Sequence, residues 1–157
     1  MSNTTDFAIL APVPQQHLAS AVEDNLLHQV TFGSNAWEVF KKADDSRENQ
    51  DLHVDVFIYA SWSEAGQPFV PEATWRGVYV RHLVASDPRQ RREAMRYRPS
   101  STQGETGWTI YWLVKDLRPL LESQHVEIST LRGWKTKKTY SRNFTPSGPL
   151  LIEHPGF

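Results

Sequence analysis

The chain contains no cysteine, so disulfide bridges, thiolate nucleophiles and cysteine-ligated zinc are excluded. No apolar run approaches the roughly 18 residues that a membrane-spanning helix needs. The first six residues carry no basic charge, and Phe7–Val13 is too short and too interrupted by proline for a signal peptide. These features predict a cytoplasmic protein that does not engage a membrane.

Sequence motifs for nucleotide chemistry are also missing. Neither G-x-x-x-x-G-K-[ST], G-x-G-x-x-G nor G-x-S-x-G occurs. The six histidines are scattered, with no pair four residues apart, and the acidic residues concentrate where a charged surface explains them. We therefore expect no metal ion and no cofactor, and the sequence nominates no catalytic residue.

The apolar pattern predicts a sheet-based fold. With 157 residues, 39% apolar and 22% charged, the chain can bury a sizeable core. Apolar alternation predicts strands at Val54–Ser61, Trp75–Val84 and Trp108–Lys115, and short helices are expected at His17–Leu27 and Pro88–Arg96. Irregular strand spacing argues against repeated βαβ units. The predicted class is α+β, a small mixed, strongly curved sheet or pseudobarrel flanked by a few short helices.

The N-terminal part is predicted to be peripheral. Residues 1–16 are polar and contain proline, so we expect a tail whose apolar piece, Phe7–Leu10, docks as a short edge strand. Residues 17–157 are then the single domain. Within them, Gly33–Asn35 is expected to form a turn, and Ser34 or Asn35 to cap the helix that follows.

Charge is unevenly distributed, although the net charge is only −1. Residues 76–142 hold 14 Lys and Arg against 6 Asp and Glu, whereas the rest of the chain holds 3 against 12. Such asymmetry suggests a basic face that could follow a phosphate backbone. A solvated surface with two unlike halves is the alternative interpretation.

Tryptophan is abundant, with six residues. Trp62 follows one predicted strand, Trp75 opens the next, and Trp37 lies after the predicted turn, while Trp108 and Trp112 share a strand face. Rings at strand ends can build a cage that stacks on a planar base or holds a methylated group. For any single tryptophan, simple core packing remains the alternative.

Basic residues in the same half of the chain could hold the phosphates beside such a cage. The arginine-rich segment Arg89–Arg98 is the main candidate, and a second basic stretch extends from Lys135 to Lys138. The residues expected at the nucleic-acid backbone are Arg76, Arg89, Arg91, Arg92, Arg96, Arg98, Lys135, Lys137 and Lys138.

Short motifs resemble those of one superfamily. Val54–Ser61 (VDVFIYAS), Pro68 and then Trp75–Val78 (WRGV) resemble the core of the PUA-like superfamily, in particular its EVE, ASCH and YTH-like branches. Trp112–Leu117 (WLVKDL) is similar to a later strand of YTH and EVE domains. The likeness covers most of the chain, from about residue 27 to residue 152. Residues 89–107 and 71–75 depart from the family pattern.

The resemblance implies a small pseudobarrel that recognises DNA or RNA, often through a modified base in an aromatic pocket. We therefore favour a non-catalytic binding module. By position, the implied pocket residues are Ser34, Asn35, Trp37, Tyr59, Ser61, Trp62 and Trp75. Ser34 and Asn35 would bind a base edge, for which an asparagine offers both a donor and an acceptor; helix capping is their alternative role.

Two other functions stay open. Some ASCH-like proteins hydrolyse modified nucleosides, which would require a group such as Lys115 or Glu105 to face the pocket. A protein-interaction domain is the third interpretation, and it would bury most of the tryptophans with no aromatic cavity between them.

Overall fold

Six strands form one mixed sheet in the part of the chain that the computed structural model describes, residues 3–47, 52–61, 71–142 and 144–157. The strands are β1 (Asn3–Pro14), β2 (Gln29–Ser34), β3 (His53–Ser61), β4 (Glu72–Ala73), β5 (Trp75–Val84), β6 (Ile110–Pro119), β7 (Val126–Glu127) and β8 (Leu150–Glu153). The helices are α1 (Gln15–Glu23), α2 (Trp37–Ser46) and α3 (Pro88–Met95). The predicted α+β class with a mixed sheet and short helices is confirmed.

The strand order in the large sheet is β2-β6-β5-β3-β1-β8. β1 and β3 run parallel, whereas every other neighbouring pair of this sheet is antiparallel. β4 and β7 form a separate antiparallel pair. Because β1 and β3 are parallel, their carboxyl ends lie at the same edge of the sheet, which is where chain segments from several elements meet.

The sheet buries side chains on both of its faces. In β3, Val54, Val56 and Ile58 pack into one core cluster, whereas Phe57 and Tyr59 pack into a second cluster on the other face. The alternation read from the sequence is therefore present, but neither face of β3 is left to solvent.

β1 differs from the tail that the sequence predicts. It lies between β3 and β8, so it is an interior strand of the sheet rather than an edge. Leu10 pairs with Phe57 on one side and with Leu150 on the other. Its apolar run, Phe7 to Ala11, is fully buried, because the strands on both sides satisfy its backbone groups.

α3 coincides with the helix expected at Pro88–Arg96. The Asp87 side chain accepts hydrogen bonds from the backbone N–H groups of Arg89 (2.9 Å) and Gln90 (3.4 Å), and Pro88 occupies the first helical position.

In the described residues, no helix is long and apolar enough to cross a bilayer.

Candidate functional site

A cavity of about 700 Å³ opens where β1, β2 and β3 end. Its walls also take residues from the start of α1, from the loop between α3 and β6, and from residues 147–149. Four aromatic side chains line it: Phe32, Tyr59, Trp108 and Trp112. The cavity is therefore assembled from segments that are distant in sequence.

The inner wall is Trp112, which is 2% exposed. Its ring lies 5.3 Å from the Phe40 ring in a stacked arrangement and 5.3 Å from the tilted ring of Phe32. Core packing on α2 and β2 thus fixes the indole before any ligand arrives. Trp112 thus belongs to the core and presents only a small part of its ring to the cavity.

The Trp108 ring lies against the backbone of Gly33. A Cβ atom at Gly33 would come within 2.5 Å of two ring carbons of Trp108, a distance that real structures essentially exclude. Gly33 is paired with Tyr111 inside β2, so it is not the turn glycine that the sequence predicts. Its role is to let the indole approach the strand closely.

Glu105 joins three other residues of the cavity. Its Oε1 accepts hydrogen bonds from Arg98 (3.0 Å) and from the Trp108 indole N–H (3.3 Å). Its Oε2 lies 3.1 Å from Nε2 of His17. The carboxylate thus fixes both the orientation of Trp108 and the position of the buried Arg98 guanidinium.

Arg98 was expected to contact phosphates, but its side chain is largely enclosed. The guanidinium lies 5.1 Å from the Tyr111 ring centroid and donates to the Thr31 carbonyl at 3.2 Å. Burial lowers the pKa of Arg98, and the nearby Glu105 carboxylate opposes that shift. Arg98 therefore forms part of the cavity wall rather than a free basic surface.

The polar loop between α3 and β6 is anchored on α1. Asp24 accepts a 2.6 Å hydrogen bond from the Ser100 backbone N–H, and Ser20 Oγ accepts one from Ser101 N–H at 3.1 Å. His17 Nδ1 lies 2.7 Å from Ser101 Oγ. These contacts hold the loop as one wall of the cavity.

Ser34 and Asn35 line the cavity at the end of β2. Ser34 Oγ accepts a hydrogen bond from Ala36 N–H at 3.0 Å. Asn35 Oδ1 accepts from the backbone N–H (2.9 Å) and the hydroxyl (3.1 Å) of Thr109. Neither side chain caps α2, whose N-cap is Ala36. Because Thr109 N–H can only donate, the Asn35 amide nitrogen is the group left to donate to a ligand.

The predicted pocket residues are brought together only in part. Ser34, Asn35, Tyr59 and Ser61 line the cavity. Trp75 is 9% exposed and belongs to the core, because alternate residues of β5 face inward. Trp37 is 43% exposed at the start of α2 and is not among the described lining residues. Trp62 lies outside the described residues.

Of the tryptophans expected at the pocket, Trp37 and Trp75 do not line the cavity. Trp108 and Trp112 supply the indole rings instead. Their spacing of four residues on one predicted strand face was the available signal. The inclusion of His17 had no comparable signal, because it depends on contacts with residues 84 and 88 positions away.

Of the arginines expected at the phosphates, Arg89, Arg91 and Arg92 are exposed on α3, and Arg96 is exposed directly after it. The carboxyl end of the helix is joined to β2 through Thr31, whose N–H donates to the Tyr97 carbonyl (3.0 Å) and whose hydroxyl donates to the Ala94 carbonyl (2.9 Å). Thr31 and Phe32 are neighbours in β2, so their side chains point to opposite faces of the sheet. α3 therefore packs at the same edge strand but on the face opposite Phe32.

The other predicted backbone contacts are placed differently. Arg76 forms an ion pair with Asp55 at 3.4 Å and stacks over Phe57, which leaves its charge largely compensated. Lys137 pairs with Glu153 at 2.9 Å. Lys135 and Lys138 are exposed, and Lys135 lies at a second cleft described below.

Tyr59 connects the cavity to the loop before β8. Its hydroxyl donates a hydrogen bond to the Pro146 carbonyl. Burial raises the pKa of Tyr59 to about 12. Deprotonation of this hydroxyl is therefore disfavoured in the folded protein.

The stability of the protein is expected to fall as the pH rises from about 10 to about 12, because the unfolded state loses the Tyr59 proton first. In the Tyr59→Phe variant, the pH dependence of the unfolding free energy should weaken by about one proton over that interval. Urea unfolding across the alkaline range measures it. Burial also raises the pKa of Tyr79, but this residue is present in both proteins. Equal slopes would contradict the prediction.

In the described part of the chain, no group of three or more His, Cys, Asp or Glu side chains is placed to hold a metal ion. Comparisons with protein-family models, with curated proteins and with solved structures found no match. The chemistry of the cavity therefore carries the functional argument.

Proposed function

We propose that this chain is a non-catalytic nucleic-acid-binding module that takes one nucleobase, plain or modified, into the cavity lined by Trp108 and Trp112. The base comes from a single strand or is flipped out of a duplex. The observation that carries the proposal is an open cavity of about 700 Å³ with two indole rings in its wall. A base held by aromatic stacking gains about 1–3 kcal/mol of binding free energy.

Polar groups around the rings would read the edge of the base. The Asn35 amide nitrogen is available to donate, and Ser61 lines the same cavity. Glu105 and Arg98 compensate each other at 3.0 Å, so the wall beside Trp108 presents no uncompensated charge. A neutral planar group fits such a wall better than a charged one.

The arginines of α3, together with Arg96 directly after it, would hold phosphates on one side of the bound nucleotide. Arg89, Arg92 and Arg96 recur at helical spacing around a shallow depression of about 270 Å³, in which Glu93 is the acidic residue. Glu93 is itself paired with Arg81. The net positive charge of this helix face favours phosphate contact and makes binding dependent on salt.

We propose further that the sheet curls into a PUA-like pseudobarrel. β1 and β2 are separated by three strands in the sheet order, yet residues of both strands line the same cavity. Curling of the sheet would bring these strands toward each other. The short motifs described above agree with this arrangement.

Binding should be tested with fluorescein-labelled single-stranded DNA and RNA that carry one methylated base or none. We expect Trp108→Ala to weaken binding by about 1–3 kcal/mol, because one stacking surface is removed. Log Kd should also change linearly with log salt, with a slope near 0.7 per phosphate contacted. Fluorescence anisotropy at several salt concentrations measures both effects.

The matched control is Leu121→Ala, which removes an exposed apolar side chain outside the cavity. Its affinity should equal that of the wild-type protein. If folded Trp108→Ala binds as tightly as wild type, or if binding does not respond to salt, the proposal is wrong. In that case the protein-interaction function would be favoured.

One observation favours nucleoside hydrolysis as a second candidate function. Glu105 and His17 line the cavity, with Oε2 and Nε2 3.1 Å apart, so a carboxylate–histidine pair borders the bound base. However, Arg98 and Trp108 also donate hydrogen bonds to the Glu105 carboxylate. Chromatography of modified nucleosides incubated with the protein distinguishes the two functions, since a binding module returns them unchanged.

A further inference from the structure

A second cleft, of about 310 Å³, lies between α2 and the segment from residue 133 to residue 140. Trp134 and Tyr140 provide its aromatic surface, and Lys42 and Lys135 provide positive charge. We call it the Trp134 cleft. It does not share a lining residue with the cavity described above.

The Trp134 cleft adjoins the cavity along two chain segments. Asn35 and Ala36 line the cavity, and Glu38, two residues further along, lines the cleft. On the opposing segment, Pro149 lines the cavity and Leu150 lines the cleft. Adjacent Cα atoms are only about 3.8 Å apart, so the two sites lie within a few residues of each other on both segments. A ligand of two linked nucleotides is the kind of molecule that could reach both.

The Trp134 ring packs against Phe7 on one face and is covered by the Lys135 side chain on the other. Phe7, fully buried in β1, stacks on it with ring centroids 4.5 Å apart and an interplanar angle of 24°. The Lys135 ammonium lies 4.0 Å from the Trp134 ring centroid. Two groups this close to one ring lie on opposite faces. A lysine side chain is flexible and exposed, so a base can displace it from the indole.

The charges around the cleft suit a phosphate. Lys42 and Lys135 line it together with one acidic residue, Glu38. The neighbouring Lys41 and Lys137 are already paired with Asp45 and Glu153. In the described residues, Lys42 and Lys135 have no such ion pair, so their charge remains available to an anion.

We infer that the Trp134 cleft binds the nucleotide next to the one held in the cavity. The base of that nucleotide stacks on Trp134 in place of the Lys135 ammonium, and Lys135 moves with Lys42 to the phosphate that joins the two nucleotides. This inference rests on the proposed function, because it needs the first base in the cavity. It assigns to the chain a ligand of at least two nucleotides.

The test compares mononucleotides, dinucleotides and trinucleotides of mixed bases, each carrying a fluorescein label. Deoxyribonucleotides and ribonucleotides are measured separately. Affinity should rise about 5- to 150-fold from one nucleotide to two, which is the effect of one additional stacked base. Trp134→Leu keeps apolar packing against Phe7 but removes the stacking surface, so most of this gain should disappear.

Charge variants provide an independent measurement. Lys42→Ala and Lys135→Ala should each weaken dinucleotide binding and reduce its salt slope, by up to about 0.7 for one phosphate contact. Lys41→Ala is the matched control, because Lys41 lies beside Lys42 on α2 but does not line the cleft. Mononucleotide binding should be the same in all three variants.

The outcomes separate this inference from the proposed function. The inference about the Trp134 cleft is wrong if affinity does not change from one nucleotide to three. It is also wrong if Trp134→Leu keeps the full gain in affinity from one nucleotide to two. If Trp108→Ala still weakens binding in that case, the cavity keeps its role. Absence of binding at every length overturns both.

Discussion

Gly33→Ala is expected to weaken ligand binding as strongly as Trp108→Ala does, by about 1–3 kcal/mol. The new methyl group would lie 2.5 Å from two ring carbons of Trp108, so the indole must leave its place against β2. In doing so it loses its hydrogen bond to Glu105, now 3.3 Å long. Fluorescence anisotropy with the best-binding oligonucleotide measures the loss, and urea unfolding shows whether the variant is folded.

A double-mutant cycle identifies the cause. In the Trp108→Ala background the obstructing ring is gone, so adding Gly33→Ala should change affinity little further. Gly148→Ala is the matched control on the same cavity, because a methyl group there meets nothing within 4 Å. Equal and additive losses from Gly33→Ala and Trp108→Ala would show that Gly33 acts on something other than this ring.

Local patterns were sufficient to predict much of the sheet. β5 has the predicted bounds, and β3 begins one residue earlier than expected, since apolar alternation and the flanking polar segments define such strands. α3 was predictable because Asp87 and Pro88 form a recognisable helix start. The position of β1 was not, because its burial depends on pairing with β3 and β8.

The candidate site shows more clearly what local sequence patterns cannot predict. A tryptophan near a strand end can face the core or a cavity, and the strand register decides which. Trp75 pairs with Ile58 and faces the core, whereas Trp108 turns onto Gly33. Single residues do not encode that choice. The contact between His17 and Glu105 spans 88 positions and is equally invisible to local patterns.

Phe40→Ala is expected to lower the free energy of unfolding by about 3–5 kcal/mol. Phe40 is fully buried in α2, with its ring 5.4 Å from that of Tyr79 and 5.3 Å from that of Trp112. Truncation leaves a void between the helix and the sheet that close-packed neighbours fill only in part. Urea unfolding followed by circular dichroism measures the change.

The same substitution should reach the cavity, because Phe40 supports Trp112 from behind. Ligand affinity should therefore fall in the fraction of Phe40→Ala that remains folded, although Phe40 itself does not line the cavity. Lys41→Ala is the control on the next residue; it removes only an exposed ion pair with Asp45 and should change stability by about 0.5 kcal/mol or less. Unchanged affinity in folded Phe40→Ala would mean that Trp112 keeps its position through Phe32 and the strand alone.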